Sequence, residues 1–450
     1  MKYKRYTALF IAVLLLFTML VPVFAEDGDL PELTAQGAIC VHRDSGTVVY
    51  EKNADKRAYP ASLTKIMTAL IAIEAIEAGR FDTADIVTAS DTFQAGLAAD
   101  GSTQNIQPGE EMTLGDLLYC VLMASANEAC NIVAEYTYGS VDAFVAKMNE
   151  RAADLGCTGT NFVNAHGLHD ENHYTTARDI YTISAEALDH QLFVQITSTA
   201  MYTVPATNLS EERSLTNTNQ LISTKVGSPY KYEYAIGGKT GSTSAAGYCL
   251  MSHAEKNGLE YIAVVMGCQE EILDTGAYGA TSFSDSIALY NWAFANYSLQ
   301  SIASASDMIQ EVPVKGAQDA DYVVVHPATN VTLLLPNAMD VEQIERKVTL
   351  FSEELEAPVV KGSVLGTVAF VYKGQTIAET DLLALTSLNA KKGIFNTSTK
   401  AGSTVKTMVT IIVIAALLLL FIYLALVISY NVRRRRHRRR KKVSSRHRGE

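Results

Sequence analysis

Hydrophobic residues recur at helical spacing in two regions of the chain. From Ser62 to Gly79 they return every three or four positions, and the glycine that closes the run is typical of a helix C-terminus. Between Leu114 and Tyr136, two more runs of this kind lie on either side of Ser125. The spacing therefore predicts three helices and places Ser62 in the first turn of the first one.

Strand-like runs occupy three other regions. Residues 37–52 have a hairpin pattern around a turn at Asp44-Ser45-Gly46, and residues 237–268 have another around Asn257-Gly258. After Tyr297 the helical spacing fades, and apolar and polar residues alternate over residues 312–385. We expect a first domain that mixes helices with strands, followed by a small all-β sandwich.

The N-terminus has the pattern of a secretory signal peptide. Three basic residues precede an apolar run over residues 8–24, which leads through Val23-Phe24-Ala25 into the acidic Glu26. Small side chains at the −3 and −1 positions predict cleavage after Ala25. We therefore assign residues 1–25 to a signal peptide, with an uncleaved N-terminal anchor as the alternative.

The C-terminus has the pattern of a transmembrane helix. Residues 408–429 contain no charged side chain and, at about 1.5 Å per residue, would form a helix of roughly 33 Å. The tail that follows, residues 430–450, carries a basic block at 433–442 and stays cytoplasmic by the positive-inside rule. We expect a single-pass cell-membrane protein whose other parts are extracytoplasmic. The tail would contact membrane lipids rather than nucleic acid.

The part of the chain between these ends is acidic. The 450-residue sequence has a net charge of −11, but three bases in the signal peptide, and eleven bases and one acid in the tail, hide a charge of about −24 in between. Such a surface disfavours nucleic acid as a partner. We place a first domain at residues 26–298, a β-sandwich domain at 299–389 and a Ser/Thr/Gly-rich stalk linker at 390–407.

Six cysteines belong to this exported part, in a compartment that permits disulfides: Cys40, Cys120, Cys130, Cys157, Cys249 and Cys268. None has Cys-x-x-Cys spacing, and the last two lie in apolar strand-like runs. A domain of this size builds a core without cross-links. We expect buried free thiols, with one disulfide as the alternative.

Three short motifs carry the candidate chemistry: Ser62-Leu63-Thr64-Lys65, Ser125-Ala126-Asn127 and Lys239-Thr240-Gly241. Ser-x-x-Lys occurs three times and Ser-x-Asn recurs near residue 387, whereas Lys-Thr-Gly occurs once. Only the first Ser-x-x-Lys has a helical run behind it and both other motifs downstream. The order and separation of the motifs therefore single out this set.

These residue types can activate a nucleophile. Positions i and i+3 share one face of a helix, so Ser62 and Lys65 are predicted to point into the same cleft. A serine hydroxyl needs a base within hydrogen-bond reach, and a lysine serves once a second cation such as Lys239 lowers its pKa. Ser125 would relay a proton, and the amide of Asn127 would hold a substrate carbonyl.

The third motif begins an apparent strand. An extended ligand could add to this strand, with Lys239 and Thr240 holding a terminal carboxylate. Gly241 would let the ligand backbone approach closely. A zinc site built from His166, His169 and His173 is disfavoured because the His-Glu-x-x-His pattern is absent. We expect no metal and no other cofactor.

Together these motifs resemble a known family. The trio is shared by class A β-lactamases and penicillin-binding proteins. Further tracts are similar to the D-alanyl-D-alanine carboxypeptidases, low-molecular-mass penicillin-binding proteins of the S11 peptidase family. These tracts are 61–68, 125–129, 162–168, 176–179 and 238–243, with 358–366 resembling the family's C-terminal β-domain. The resemblance covers about residues 30–390.

The resemblance implies a β-lactamase/transpeptidase-like α/β catalytic domain, an antiparallel sheet flanked by helices. It implies that Ser62 is acylated by a peptidoglycan pentapeptide stem and releases the terminal D-Ala, with Lys65 as general base. Ser125 would relay a proton with Lys65, and Asn127 would orient the substrate amide. β-Lactams would act as covalent inhibitors by trapping the nucleophile.

The resemblance also implies the substrate-binding side of the cleft. Lys239 and Thr240 would bind the terminal carboxylate, and Gly241, Ser242 and Thr243 would line the substrate. The backbone N–H groups of Ser62 and Ser242 would form the oxyanion hole. Family members are often held at the membrane by an amphipathic surface helix, whereas this sequence predicts a full span.

Three alternatives share parts of this pattern. A D,D-endopeptidase or transpeptidase would use the same residues. A class A serine β-lactamase would need a Glu-x-x-Leu-Asn loop after Ser125, which the sequence lacks, and usually has Asp at the position of Ala126. A non-catalytic β-lactam sensor would need a cytoplasmic effector domain, which the tail does not resemble.

Overall fold

The computed structural model describes residues 30–99, 101–273, 275–391, 410–415, 417–420 and 422–423. The predicted signal peptide and basic tail lie outside the described residues, as does the predicted stalk apart from residues 390 and 391. The described part of the predicted span 408–429 is helical and exposed. Among the described residues, no helix has both the length and the apolar character needed to cross a membrane.

The first 300 residues contain helices joined by loops and short strands. These helices are α1 (Thr64–Glu77), α2 (Leu114–Leu122), α3 (Asn127–Tyr138), α4 (Val141–Asp154), α5 (Ala177–Leu188), α6 (Gln191–Ser198) and α7 (Thr281–Asn296). Short 3₁₀ turns lie at Ala61–Leu63, Gln220–Ile222 and Val341–Gln343.

Strands occur along the whole described chain. Those of the first part are β1 (Gly37–His42), β2 (Val48–Lys52), β3 (Ile86–Thr88), β4 (Glu111–Thr113), β5 (Met201–Val204), β6 (Arg213–Thr216), β7 (Ala235–Thr243), β8 (Gly247–Lys256), β9 (Leu259–Cys268), β10 (Glu270–Ile272) and β11 (Tyr278–Ala280). Those that follow are β12 (Tyr297–Ala303), β13 (Gln310–Lys315), β14 (Tyr322–Pro327), β15 (Val331–Pro336), β16 (Glu345–Leu350), β17 (Leu355–Glu356), β18 (Val364–Tyr372) and β19 (Gln375–Ala384).

A five-stranded antiparallel sheet, in the order β2-β1-β9-β8-β7, organises the first part of the chain. The predicted hairpin at residues 37–52 forms its β1–β2 pair. The predicted Asn257-Gly258 turn joins β8 to β9, and both residues have the positive φ that a tight hairpin turn requires. Because β7 is at the end of this order, one of its sides has no neighbouring strand in the sheet.

The sheet is covered by helices on both faces. Ile39, Met251 and Val264 face a core that contains α1, whereas Cys40, Leu250 and Val265 face a core that contains α7. Helix α1 is buried on nearly all sides, which explains why its sequence is apolar around the whole helix. This arrangement confirms the expected α/β architecture, with an antiparallel sheet flanked by helices.

The chain forms two compact units. The described residues of the first lie in 30–305, 329–347 and 368–380, and those of the second lie in 306–328, 348–367 and from 381 onward. In the first unit, β12 pairs with β15. In the second, β14 lies antiparallel to both β13 and the end of β19, and β13 runs parallel to β17. The all-β character expected of the C-terminal region is therefore confirmed.

All six cysteines are buried and free. The prediction of buried free thiols is confirmed. The alternative, one disulfide bond, is not found among these six cysteines.

Candidate active site

Ser62 lies in a tight turn at the entrance to α1. The chain passes through the 3₁₀ turn Ala61–Leu63 before the α-helix begins at Thr64, so the predicted helix starts two residues later than its spacing suggested. Ala61 has φ +47°, a conformation that is costly for a residue with a side chain. The strained turn leaves the Ser62 side chain partly exposed at the surface of the sheet's edge.

A buried relay holds this turn. The amide of Val163 donates to His173 Nδ1 at 3.1 Å, so the proton of this neutral imidazole is on Nε2. His173 Nε2 lies 2.8 Å from Thr64 Oγ1, and that hydroxyl donates to the carbonyl of Ala61 at 2.8 Å. Burial lowers the pKa of His173 to about 4, which keeps the ring neutral and the relay intact at ordinary pH.

Gly167 packs against the same turn from below. A Cβ added to Gly167 would lie 1.9 Å from the Ala61 carbonyl oxygen, and the residue has φ +90°. Both facts require glycine here. The tract 162–168, which the sequence analysis identified only by resemblance, thus packs against the turn that carries Ser62.

Lys65 is fully buried directly behind Ser62. As an ammonium, its Nζ donates to Ser62 Oγ at 2.8 Å, to Asn127 Oδ1 at 2.7 Å and to the carbonyl of His166 at 2.6 Å. The last two partners are oxygens that only accept. A neutral amine has two N–H bonds, which these two oxygens use, so its lone pair is left facing the Ser62 hydroxyl.

Burial also sets the protonation of the two lysines in this pocket. It lowers the pKa of Lys65 to about 8. Burial and then the charge of Lys65 lower the pKa of Lys239 well below its ordinary value. Because a positive charge on one lysine disfavours protonation of the other, the pair tends to hold one positive charge rather than two.

Ser125 lies in the linker between α2 and α3 with φ +60° and is almost fully buried. The Nζ of Lys239 donates to Ser125 Oγ at 3.0 Å. The structure thus brings Ser125 and Asn127 into the site as predicted. Among the described residues, however, it is Asn127 that is hydrogen-bonded to Lys65, while Ser125 is hydrogen-bonded to Lys239 rather than to Lys65.

Lys239 and Gly241 lie on β7, the edge strand of the sheet. Lys239 Nζ also donates to the carbonyl of Thr240 at 2.8 Å, and Thr240 Oγ1 donates to Thr218 Oγ1 at 2.6 Å. A Cβ added to Gly241 would lie 3.0 Å from the amide nitrogen of Ser62. The strand therefore passes directly beside the nucleophile, and only glycine leaves room at this point.

The remaining predicted residues of β7 differ in position. Ser242 is exposed and lines the cleft. Thr243 Oγ1 accepts a hydrogen bond from the amide of Ala246 at 3.0 Å, which places its hydroxyl in the turn between β7 and β8. A Cβ added to Gly238, just before Lys239, would lie 2.2 Å from the carbonyl of Met251, so the tract packs tightly on β8.

The cleft has a volume of about 310 Å³ and contains residues that the sequence analysis did not identify. These are Ser102, Thr218, Gln220, Tyr248, Tyr278 and Phe283. They come from loops, from the 3₁₀ turn after β6, from β8, from β11 and from the start of α7. Of these residues, Thr218 is the one that is hydrogen-bonded to the third motif, through Thr240.

One wall of the cleft is fixed by a buried carboxylate. Glu128 follows Asn127 on α3 and accepts from Thr103 Oγ1 at 2.7 Å and from the amide of Gln104 at 2.5 Å. The carbonyl of Ser102 accepts from the amide of Asn127 at 2.9 Å. The carboxylate is therefore engaged in holding this loop beside the cleft.

A partly exposed serine beside a buried lysine, at a sheet edge that carries a second lysine, defines a class of protein. The fold and the motif trio are those of the penicillin-binding and transpeptidase-like enzymes, which act on substrates through a serine. The family model for D-alanyl-D-alanine carboxypeptidase matches residues 24–270, and the model for the C-terminal domain of penicillin-binding protein 5 matches residues 297–390. The chain belongs to the D-alanyl-D-alanine carboxypeptidase family.

Curated relatives carry the same name. The D-alanyl-D-alanine carboxypeptidase DacF of Bacillus subtilis is 30% identical over 385 residues, which cover 85% of this chain and 94% of that protein. The D-alanyl-D-alanine carboxypeptidase DacC of Escherichia coli is 28% identical over 395 residues, which cover 85% of this chain and 91% of that protein.

Solved structures show the same architecture. Penicillin-binding protein 5 of Haemophilus influenzae is 29% identical, has a TM-score of 0.61, and its match covers 80% of this chain and 99% of that one. A mutant of the Streptomyces K15 DD-transpeptidase is 28% identical with a TM-score of 0.52, and its match covers 59% of this chain and 100% of that one.

Proposed function

We propose that this chain removes the terminal D-Ala from peptidoglycan pentapeptide stems through an acyl-enzyme on Ser62. The observation that carries the proposal is the environment of Lys65. Its amine lies 2.8 Å from the Ser62 hydroxyl, while the carbonyl oxygens of Asn127 and His166 use its other two bonding directions. This arrangement suits a neutral amine that accepts the Ser62 proton.

The bond changes follow from these positions. The Ser62 proton moves to Lys65 Nζ as Oγ attacks the carbonyl carbon of the penultimate D-Ala. The C–N bond then breaks as the departing D-Ala amine takes a proton from the Ser125 hydroxyl, and Ser125 recovers a proton from the Lys65 ammonium, which leaves Lys65 neutral again. Lys239, 3.0 Å from Ser125 Oγ, favours the charge that this transfer leaves on the oxygen. Water then gives a proton to Lys65 Nζ as its oxygen attacks the ester carbonyl, the bond to Ser62 Oγ breaks, and Oγ takes that proton back from Lys65.

The third motif recognises the end of the substrate. Lys239 and Thr240 bind the terminal carboxylate, and Thr218 joins them through its 2.6 Å contact with Thr240. A bound carboxylate favours the ammonium form of Lys239, and the charge on Lys239 then favours the neutral form of Lys65. Substrate binding thereby helps to produce the base that the reaction needs.

Two backbone amides complete the site. The N–H groups of Ser62 and Ser242 donate to the developing oxyanion. The proposal is supported by the close approach of Gly241 to the Ser62 amide nitrogen, which brings strand β7 beside the turn that carries Ser62. A penicillin has a carboxylate and an acylating carbonyl, so the same contacts make it a covalent inhibitor.

The test uses the purified full-length chain and diacetyl-Lys-D-Ala-D-Ala. We expect stoichiometric release of D-Ala and covalent labelling by a fluorescent penicillin. Ser62→Ala should abolish both, whereas Ser214→Ala, an exposed serine on β6, should retain both. Penicillin labelling that persists in Ser62→Ala would disprove the assignment of the nucleophile.

A D,D-endopeptidase or transpeptidase activity is a second candidate. The structural match to the Streptomyces K15 DD-transpeptidase favours it, because the transfer reaction uses the same acyl-enzyme. Adding an amine acceptor and weighing the products separates the reactions. A product in which the amine replaces the terminal D-Ala shows transfer, and the tetrapeptide alone shows hydrolysis.

The sequence also supports a location for the enzyme. We propose that residues 26–298 form the catalytic domain and that residues 299–389 form a β-sandwich on an extracytoplasmic stalk. The charge-free stretch 408–429 and the basic tail support a single membrane anchor that contacts lipids. Fractionation of cells that express chains with and without residues 408–450 tests this, with release from the membrane expected for the shorter chain.

A further inference from the structure

A second cavity lies where β7 ends. It has a volume of about 440 Å³ and is open to solvent. Its walls are the β7–β8 turn over residues 244–247, the end of β9, the residues around the start of β1, and the segment 56–59. This segment runs directly into the turn that carries Ser62, so one short stretch of chain links the cavity to the nucleophile.

Two adjacent cations, Lys56 and Arg57, contribute to this cavity, and both are exposed. The guanidinium of Arg57 lies 3.2 Å above the ring of Tyr174 and donates to the carbonyl of Glu171 at 3.0 Å. These contacts hold the group in place and leave several of its N–H bonds available. Among the described residues, Lys56 has no ion pair.

Two of the neighbouring acids, Glu51 and Asp55, are already engaged. Arg178 donates to Asp55 at 2.8 Å and to Glu51 at 2.7 Å. Lys56 and Arg57 therefore place two cations that pair with neither of these acids in a region of the chain that is otherwise acidic. A cationic pair beside a polar, solvent-accessible cavity suits a carboxylate.

The direction of the substrate points to this cavity, an argument that rests on the proposed function. The terminal carboxylate sits at Lys239 and Thr240 and the scissile carbonyl at Ser62, so the rest of the stem continues past Ser242 toward the β7–β8 turn. From Thr240 to Ser244 an added strand advances four residues, roughly 13 Å. Three extended residues upstream of the terminal D-Ala span about 10–12 Å.

We propose that this cavity binds an acidic residue of the peptide stem, upstream of D-Ala-D-Ala, and that Arg57 and Lys56 pair with its carboxylate. The cavity is thus a specificity site that separates stems with a free carboxylate at this position from stems with a carboxamide. Bulk charge opposes an acidic substrate on this surface, and the cationic pair offsets that repulsion locally.

The test compares two pentapeptides that differ in one group. One is N-acetyl-L-Ala-γ-D-Glu-L-Lys-D-Ala-D-Ala, and the other has the free carboxylate of D-Glu replaced by a carboxamide. We expect the full-length enzyme to have a KM about three- to tenfold lower for the carboxylate form at low salt. Added salt should shrink this preference.

The variants Lys56→Gln and Arg57→Gln should each reduce the preference, and the double variant should remove it by raising the KM of the carboxylate form alone. Arg57→Lys should retain part of it. Lys147→Gln, which removes a cation on α4, is the control and should keep the wild-type ratio. Penicillin acylation, which does not use the cavity, should stay unchanged in all of them and shows that the variants are folded.

The outcomes separate the two proposals. If the wild type hydrolyses both peptides with equal KM, or if the double variant keeps the preference, the specificity site is wrong while the proposed function stands. If the wild type releases no D-Ala from either peptide or from diacetyl-Lys-D-Ala-D-Ala, the proposed function itself fails.

Discussion

His173 Nε2 lies 2.8 Å from Thr64 Oγ1, and through that hydroxyl it acts on the turn that carries the nucleophile. The hydroxyl donates to the carbonyl of Ala61, whose φ of +47° is strained. Buried hydrogen bonds of this kind compensate for strain that a functional turn requires. The relay therefore ties the position of Ser62 to His173, which lies outside the three motifs.

Thr64→Val tests this relay, because it keeps the shape of the side chain and removes the hydroxyl. We expect a loss of about 1–3 kcal/mol in the free energy of unfolding and slower acylation by penicillin. Thr68→Val is the matched control, since that hydroxyl donates to Ala165 at 2.6 Å one turn further along α1. The control should lose stability without slower acylation, and equal acylation in both variants would contradict the relay.

The pH dependence of acylation reports the protonation of Lys65. Burial lowers its pKa to about 8, and the base must be neutral, so the rate constant at saturating substrate should rise with pH. Half of the maximum should be reached near pH 8, where half of the Lys65 side chains are neutral. Stopped-flow acylation from pH 5 to 10 measures this. A half-maximum near pH 10 would show that the site does not lower the pKa of Lys65.

Asn127→Asp should move that profile. The variant places a carboxylate where the amide oxygen now lies 2.7 Å from Lys65 Nζ, and the opposite charge raises the pKa of the ammonium by about 1–3 units. The rising limb should shift to higher pH by this amount. Asn127→Ala is the control and should lower the acylation rate without shifting the pH profile. If the pH profile of Asn127→Asp also stays unshifted, the hydrogen bond between Asn127 and Lys65 does not influence the pKa of Lys65.

Lys239→Ala should impair substrate capture more than any other step. Loss of a charge-assisted bond to a carboxylate predicts a second-order acylation constant about 10- to 100-fold lower. The variant should also stop distinguishing a D-Ala-D-Ala peptide from its C-terminal amide. Lys256→Ala on the neighbouring strand β8 is the control. If Lys239→Ala still prefers the free carboxylate to the amide, residues other than Lys239 recognise the terminal carboxylate.

Local sequence patterns predicted much of the fold, because the spacing of apolar residues reflects which face of each helix or strand is buried. Helix α1 and the β1–β2 and β8–β9 hairpins lie where the spacing and the Asn257-Gly258 turn placed them. The motif order also predicted that Ser62, Lys65, Asn127 and Lys239 meet in one site, as they do in the structure. The third motif was expected to begin a strand, but it lies within β7, which already begins at Ala235. The span and the tail at the C-terminus stay predictions.

Other features depend on contacts between distant segments, which no local pattern records. Ser125 is hydrogen-bonded to Lys239 because the linker between α2 and α3 takes up a positive φ, and spacing along the chain does not show this. Thr218 and Ser102 lie in loops without periodicity. The contact of Thr243 with substrate stays a prediction, and the sequence did not show that its hydroxyl accepts a hydrogen bond from the amide of Ala246 in the turn after β7.

The mass of the intact protein after reaction with penicillin, followed by peptide mapping, tests the central claim most directly. The account predicts one added ligand per chain, attached to the peptide that contains Ser62, and no adduct in Ser62→Ala. An adduct on any other residue, or an unmodified wild-type protein that still releases D-Ala, would contradict it.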